Sequence, residues 1–300
     1  MSDFSVYLLA GSALATRIWL AMLLLYGVLA LASLGAGRWT APGSTLRQQI
    51  NAWWRIFPLV SASMLLHPVG PVLLSLLIAV LALRELSLHY TGPRRRFQWL
   101  CAAVLLLQTA LAWYSTALAT VLMLALLLAQ AVYFGLRRRP AQMLVLLFLL
   151  LGAGLSFLPR LLQRTPSVEL NLAWFFYLFA ITALNDIAQF VSGKCFGRHR
   201  IAARISPNKT WQGLLGGVLA SLAVSAALGR YLQLADLPQL LLLALLLSLA
   251  GFAGDLVFSA AKRRLGIKDF SQLIPGHGGI LDRVDSLVLT APLLYLGLTL

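Results

Sequence analysis

Residues 97–136 read FQWLCAAVLLLQTALAWYSTALATVLMLALLLAQAVYFGL, 40 consecutive positions without a charged side chain. Roughly 20 apolar residues are enough to cross the hydrocarbon core of a bilayer, so this run is too long for one crossing. Trp113, Tyr114 and Ser115 fall midway, and amphipathic residues of this kind favour the membrane surface. The run therefore reads as a hairpin of two helices. Similar stretches lie outward of it at 18–36 and 71–88 on one side, and at 141–158, 173–191, 211–228, 238–258 and 284–300 on the other. With the hairpin divided into 97–114 and 116–135, the expectation is an all-α, polytopic membrane helix bundle of about nine transmembrane helices. Residues 56–66 are also apolar, but His67, Pro68, Gly70 and Pro71 interrupt them, which suggests a re-entrant or interfacial segment.

Composition agrees. Of 300 residues, 60% are hydrophobic and 11% charged, with a mean hydropathy of +0.85, which excludes a water-soluble globule. Lys and Arg number 24 against 9 Asp and Glu, a net charge of +15. In a soluble chain that excess would suggest nucleic acid. Here it fits cytoplasmic loops and anionic ligands, and no nucleic-acid partner is expected. Placing the N-terminus in the cytoplasm puts 18 of the 24 basic residues on that side, as the positive-inside rule requires. The first apolar run, followed by the small residues of Ala32 to Gly37, also has the outline of a cleaved signal peptide. Arg17 as its only preceding basic residue argues against that. Cys101 and Cys195 are too far apart in sequence and context to suggest a disulfide framework or a thiolate metal site.

The first 170 residues are nearly mute about chemistry, and the acids explain why. Asp3, Glu85, Glu169 and Asp236 fall in the N-terminal segment or loops, whereas Asp186, Asp255, Asp269, Asp282 and Asp285 occupy the last 115 residues. This divides the chain into an N-terminal transmembrane region, 1–172, and a C-terminal region, 173–300, that carries the chemistry. An ionisable group at membrane depth costs on the order of 3 kcal/mol by insertion scales and marks a functional candidate. Asp186, Asp255 and Asp282 lie at the cytoplasmic ends of expected spans. Asp255, Ser259 and Lys262, at i, i+4 and i+7, share one helix face, and Asp282 and Asp285 at i and i+3 share another. Oxygen donors without a Cys/His cluster favour Mg²⁺ over zinc, and whether a second cation joins it is open. The competing structural reading is helix capping or intramembrane ion pairing, for example Asp282 with Arg283 or Lys262.

Two cytoplasmic loops look suited to phosphate. In the first, Gly193 to Arg200 leads to Ser206-Pro207-Asn208-Lys209-Thr210-Trp211-Gln212-Gly213. Ser206 is expected to cap the following helix, whose N-terminal amides and Lys209 would hold an anion. In the second, Pro275-Gly276-His277-Gly278-Gly279 precedes Asp282, and its glycines allow close backbone approach to a ligand. His277 is a candidate general acid or base, or a nucleotide-phosphate contact.

The stretch from Ser259 through Lys262-Arg263, Lys268-Asp269, Ser271, Ile274-Pro275, His277-Gly278-Gly279-Ile280 and Asp282-Arg283-Val284-Asp285 resembles the signature of the phosphatidate cytidylyltransferases, the CDP-diacylglycerol synthases. It runs over 27 contiguous positions. Asn185-Asp186, Gly193-Lys194, Phe196-Gly197 and the Ser206 to Trp211 run add to the likeness, which covers about 173–300. The resemblance implies that Asp255 and Asp282 bind Mg²⁺, with Asp285 and Asp186 nearby. It implies that Ser206, Asn208, Lys209, Ser259, Lys262, Arg263, Lys268, His277, Gly278, Gly279 and Arg283 line the nucleotide and phosphate pocket, with Lys209 and His277 catalytic alongside the two aspartates. The implied partners are CTP, phosphatidate or a related phospholipid, and the membrane, with a homodimer allowed. The implied location is the bacterial inner membrane. Gln212 and Phe258 depart from the family pattern, each standing where a Glu is common, as do Ala261, smaller than usual, and Phe190, where Tyr is frequent.

The implied reaction is attack of a lipid phosphate oxygen on the α-phosphorus of CTP with release of pyrophosphate. The rival enzyme is a CTP-dependent lipid kinase of the polyprenol or phytol type. The rival from another class is a transporter, which should carry acids near mid-span in both halves.

Overall fold

The computed structural model of the chain describes residues 12–39, 41, 44–273 and 278–298. It is almost entirely helical: α1 (Ala13–Trp39), α2 (Thr45–Leu65), α3 (Val69–Leu88), α4 (Arg94–Tyr114), α5 (Thr116–Arg137), α6 (Pro140–Leu155), α7 (Phe157–Leu161), α8 (Val168–Phe196), α9 (Trp211–Val224), α10 (Leu237–Arg264), α11 (Leu281–Val284) and α12 (Leu287–Gly297). Among the described residues, seven helical stretches are long and apolar enough to cross a membrane. They coincide with seven of the expected spans, and the chain is a multi-pass integral membrane protein. The expected span at 97–114 forms α4, and the last, at 284–300, is the 11-residue α12 within the described residues. The interrupted stretch near residue 60 is part of α2, a helix with Pro58 inside it.

Local chemistry sets the breaks. Ser115 separates the two arms of the apolar hairpin, ending α4 and capping α5 by accepting from the Leu118 amide at 3.2 Å. Ser167 caps α8 and Asp236 caps α10 in the same way, each satisfying an N–H that the first helical turn leaves free. Lys262, Arg263 and Arg264 occupy the last turn of α10, where positive charge complements the helix dipole.

The helices are not equally enclosed. Of the most apolar window of α8, 67% is buried, against 11% for α5. Thus α8 is central, packed against α9, α10, α12 and α1, while α5 is peripheral. The β-strands β1 (Arg200–Ala202) and β2 (Ser206–Thr210) form a small antiparallel hairpin between α8 and α9, pairing Arg200 with Thr210 and Ala202 with Ser206. This corrects one expectation: because Ser206 to Thr210 is extended and paired, the cap of α9 is Thr210, whose hydroxyl accepts from the Gly213 amide at 3.1 Å.

Candidate functional site

The hairpin sets Lys209 against α8 and α10. Its ammonium pairs with the Asp255 carboxylate on α10, donates to Gln189 Oε1 on α8 at 3.5 Å and lies 5.3 Å from the centre of the Phe252 ring. Burial acts to lower its pKa, but Asp255, then Asp186 and Asp285, outweigh that and hold it above the ordinary lysine range. Lys209 therefore stays charged at neutral pH, with three carboxylates of the C-terminal region around it.

Those carboxylates are oriented by neighbouring hydroxyls and backbone. Ser259 Oγ donates to Asp255 Oδ1 at 3.0 Å, so the i, i+4 relation read in the sequence is a contact. Ser286 Oγ donates to Asp186 at 3.0 Å, and its amide donates to Asp285 Oδ1 at 2.8 Å. Gly254 permits this assembly, because a Cβ there would overlap the Asp285 carbonyl. The buried amide nitrogens of Asn185 and Gln189 have no hydrogen-bond partner among the described residues. Donors of this kind suit an oxygen-rich ligand or water.

Lys262 turns away from this group. It lies on α10 below Ser259, but its ammonium meets Asp282 Oδ1 at 2.5 Å, with both side chains buried. Asp282 Oδ2 accepts from the amides of Phe270 and Gly279 at 3.2 and 2.9 Å. Asp282, expected beside a cation, thus has both oxygens engaged by protein donors, and its pairing with Lys262 is one that the structural reading of the sequence had named. Gly278 has a φ of +80° and faces Asp282, where a Cβ would lie 2.7 Å from Oδ2.

The remaining expected residues lie at the periphery. Arg263 is exposed and donates from Nε to the Ile205 carbonyl at 3.0 Å, bracing the turn between β1 and β2. Lys268, Arg283 and Asn208 are exposed, and Ser206 is half-buried. His277, together with Pro275 and Gly276, lies outside the described residues. Gln212 Oε1 accepts from the amides of Arg198 and His199 at 3.1 and 3.2 Å, and Gln212 Nε2 contacts His199 Nδ1 at 3.0 Å. It therefore closes the loop before β1. Phe258 is fully buried and meets Phe270 edge-on, with ring centres 6.3 Å apart.

Sequence reasoning missed Glu85. It set this acid aside with the loops, yet Glu85 belongs to α3, is 2% exposed, and accepts from Ser271, Ile280 and Leu281. The adjacent charges Arg84 and Glu85 near the end of a largely apolar 20-mer were the available signal.

Hard oxygen donors outnumber ammonium groups around Lys209, a donor set that suits Mg²⁺. Among the described residues, no three His, Cys, Asp or Glu side chains approach closely enough to hold a metal ion by themselves. That does not conflict with Mg²⁺, which commonly takes one or two carboxylates and completes its shell with water and substrate phosphate.

The chain is 45% identical over 120 residues to a protein named phosphatidate cytidylyltransferase from Brucella suis biovar 1 (strain 1330), covering 40% of this chain and 44% of that one. It is 41% identical over 125 residues to one of the same name from Staphylococcus epidermidis (strain ATCC 35984), covering 41% and 48%. A protein named uncharacterized protein YnbB, from Escherichia coli (strain K12), is 43% identical over 135 residues, 45% of each chain. The chain thus spans less than half the length of these relatives. The model of the cytidylyltransferase family, however, matches residues 47–300, most of the sequence, and the chain belongs to the cytidylyltransferase family.

Proposed function

We propose that the chain transfers a cytidylyl group from CTP to phosphatidate at the cytoplasmic face of the membrane, giving CDP-diacylglycerol and pyrophosphate. The observation that carries this is the grouping of Asp186, Asp255 and Asp285 around the ammonium of Lys209, at the joint between helices of membrane-spanning length and a polar hairpin. The names of the Brucella and Staphylococcus relatives and the family match support the substrate assignment. The distribution of basic residues supports nine crossings with a cytoplasmic N-terminus, and the bacterial relatives support a place in the bacterial inner membrane.

Both reactants are anions, so the chain's task is to offset charge and align the attack. Asp255, with at most one of Asp186 and Asp285, would hold Mg²⁺, water and substrate phosphate completing its shell. When bound, the ion would polarise a phosphoryl oxygen and neutralise charge as phosphate oxygens converge. Lys209 is placed to hold Asp255 in position and to present positive charge to the triphosphate. Arg263, Lys268 and Arg283, exposed at the rim, draw anionic ligands inward. A phosphate oxygen of the lipid bonds to the α-phosphorus, the bond from that phosphorus to the β-phosphate bridge breaks, and pyrophosphate leaves. No covalent intermediate on the protein is required. Asp282, held by Lys262 and two amides, is assigned to joining Phe270 to Gly279.

Purified protein with Mg²⁺, phosphatidate and CTP labelled in its cytosine ring should yield a labelled CDP-lipid and pyrophosphate. CDP together with an added phosphate on a lipid alcohol would replace this reading with a kinase. Label remaining in CTP with all phosphate lipids tried would reject both.

A further inference from the structure

Glu85 lies far from the signature in sequence yet meets both ends of its glycine-rich segment. Its Oε1 accepts from Ser271 Oγ at 2.6 Å and from the Ile280 amide at 2.8 Å, and its Oε2 accepts from the Leu281 amide at 3.0 Å. Ser271 precedes the segment; Ile280 and Leu281 follow it. One turn further along α3, at its end, His89 Nε2 is 2.7 Å from the Phe270 carbonyl. The end of α3 therefore grips the segment at residues 270, 271, 280 and 281.

A carboxylate that is only 2% exposed carries a large desolvation cost unless its charge is answered. Among the described residues no Lys or Arg forms an ion pair with Glu85, so loop donors answer it instead. Hydrogen bonds to an ionised acceptor are about twice as strong as neutral ones, and two of these three come from backbone. The sequence of the loop is adapted to this contact: a Cβ at Gly279 would overlap the Glu85 carboxylate. Glycine here lets a carboxylate of the chain itself approach the backbone.

We infer that Glu85 is a positioning residue for the transfer reaction, tying Ser271 to the Ile280 and Leu281 amides that lead into Asp282; this rests on the function proposed above. Asp282, locked by Lys262, bridges the same segment from inside through the Phe270 and Gly279 amides. Glu85 does so from α3, in the half of the chain that otherwise lacks site residues. It touches no reacting group and acts through the loop.

The test compares the full-length wild-type chain with Glu85→Gln, Glu85→Ala and Ser271→Ala in detergent or nanodiscs. Amide exchange at residues 279–281 should quicken at least about tenfold in the Glu85 variants and less in Ser271→Ala, with α8 and α10 amides unchanged. In turnover, kcat should fall on the order of 10²-fold in Glu85→Gln, as displacement of a positioned group does, with a smaller change in KM for CTP. Wild-type protection of the loop amides in both Glu85 variants would overturn the clamp. So would turnover per folded molecule equal to wild type. Should the wild-type chain make no CDP-lipid, the reaction fails on its own account, and the exchange comparison still upholds or overturns the clamp. If Glu85→Ala does not fold, Glu85→Gln and Ser271→Ala carry the comparison.

Discussion

Lys209 with Asp255, and Lys262 with Asp282, are the two ion pairs among the described residues. In the first, the side chains keep 19% and 25% of their exposure, further carboxylates surround the lysine, and Asp255 takes one more hydrogen bond, from Ser259. In the second, exposure falls to 11% and 3%, and backbone amides take up the rest of the carboxylate. The same two charges thus make an accessible, acid-rich site in one region and an internal brace in the other. Surplus negative charge gathers around Lys209, whereas the Asp282 charge is answered by one ammonium and two backbone amides.

The comparison can be broken by substitution. The largest expected effect is on turnover: Asp255→Asn should lower CDP-lipid formation by at least about 10³-fold, roughly 4 kcal/mol of transition-state stabilisation, with the yield of folded protein maintained. Lys262→Met should act mainly on stability. It leaves a buried carboxylate without its cation, costing about 3 kcal/mol, read as a lower thermal midpoint in detergent. Adding Asp282→Asn should recover part of that loss, since the amide oxygen still accepts from Phe270 or Gly279. If Asp255→Asn unfolds the chain as readily as Lys262→Met does, the distinction between site and brace is lost.

A smaller effect sharpens the comparison through pH. Lys209 titrates above the ordinary lysine range because its carboxylate neighbours outweigh its burial. A raised folded-state pKa gives stability that is complete below the unfolded value, about 10.4, and fades as pH rises through the folded value. The stability difference between wild type and Lys209→Met should therefore be level from pH 7 to about 9.5 and shrink only beyond. A decline between pH 7 and 9 would show that Lys209 is not held by these carboxylates.

Much of the architecture was legible because a lipid solvent demands apolar helices of fixed length, and Ser115 divides the long apolar run into two of them. The contact of Asp255 with Ser259 was equally legible, being one turn of one helix. What escaped depends on partners distant in sequence. Glu85 finds Ser271, Ile280 and Leu281 nearly 200 positions away, and no local pattern announces that. Lys262 shares a helix face with Asp255 yet swings to Asp282, a choice made by packing around Phe258 and Phe270. Ser206 looked like a cap because it precedes a proline, but strand pairing with Ala202 moved the helix start to Thr210.

The bond from Arg263 to the Ile205 carbonyl spans 58 positions and ties the tip of the hairpin to the foot of α10. Lys209 rides on that ribbon and Asp255 on that helix. The Lys209–Asp255 pair is thereby spanned by a second tie between the same two elements.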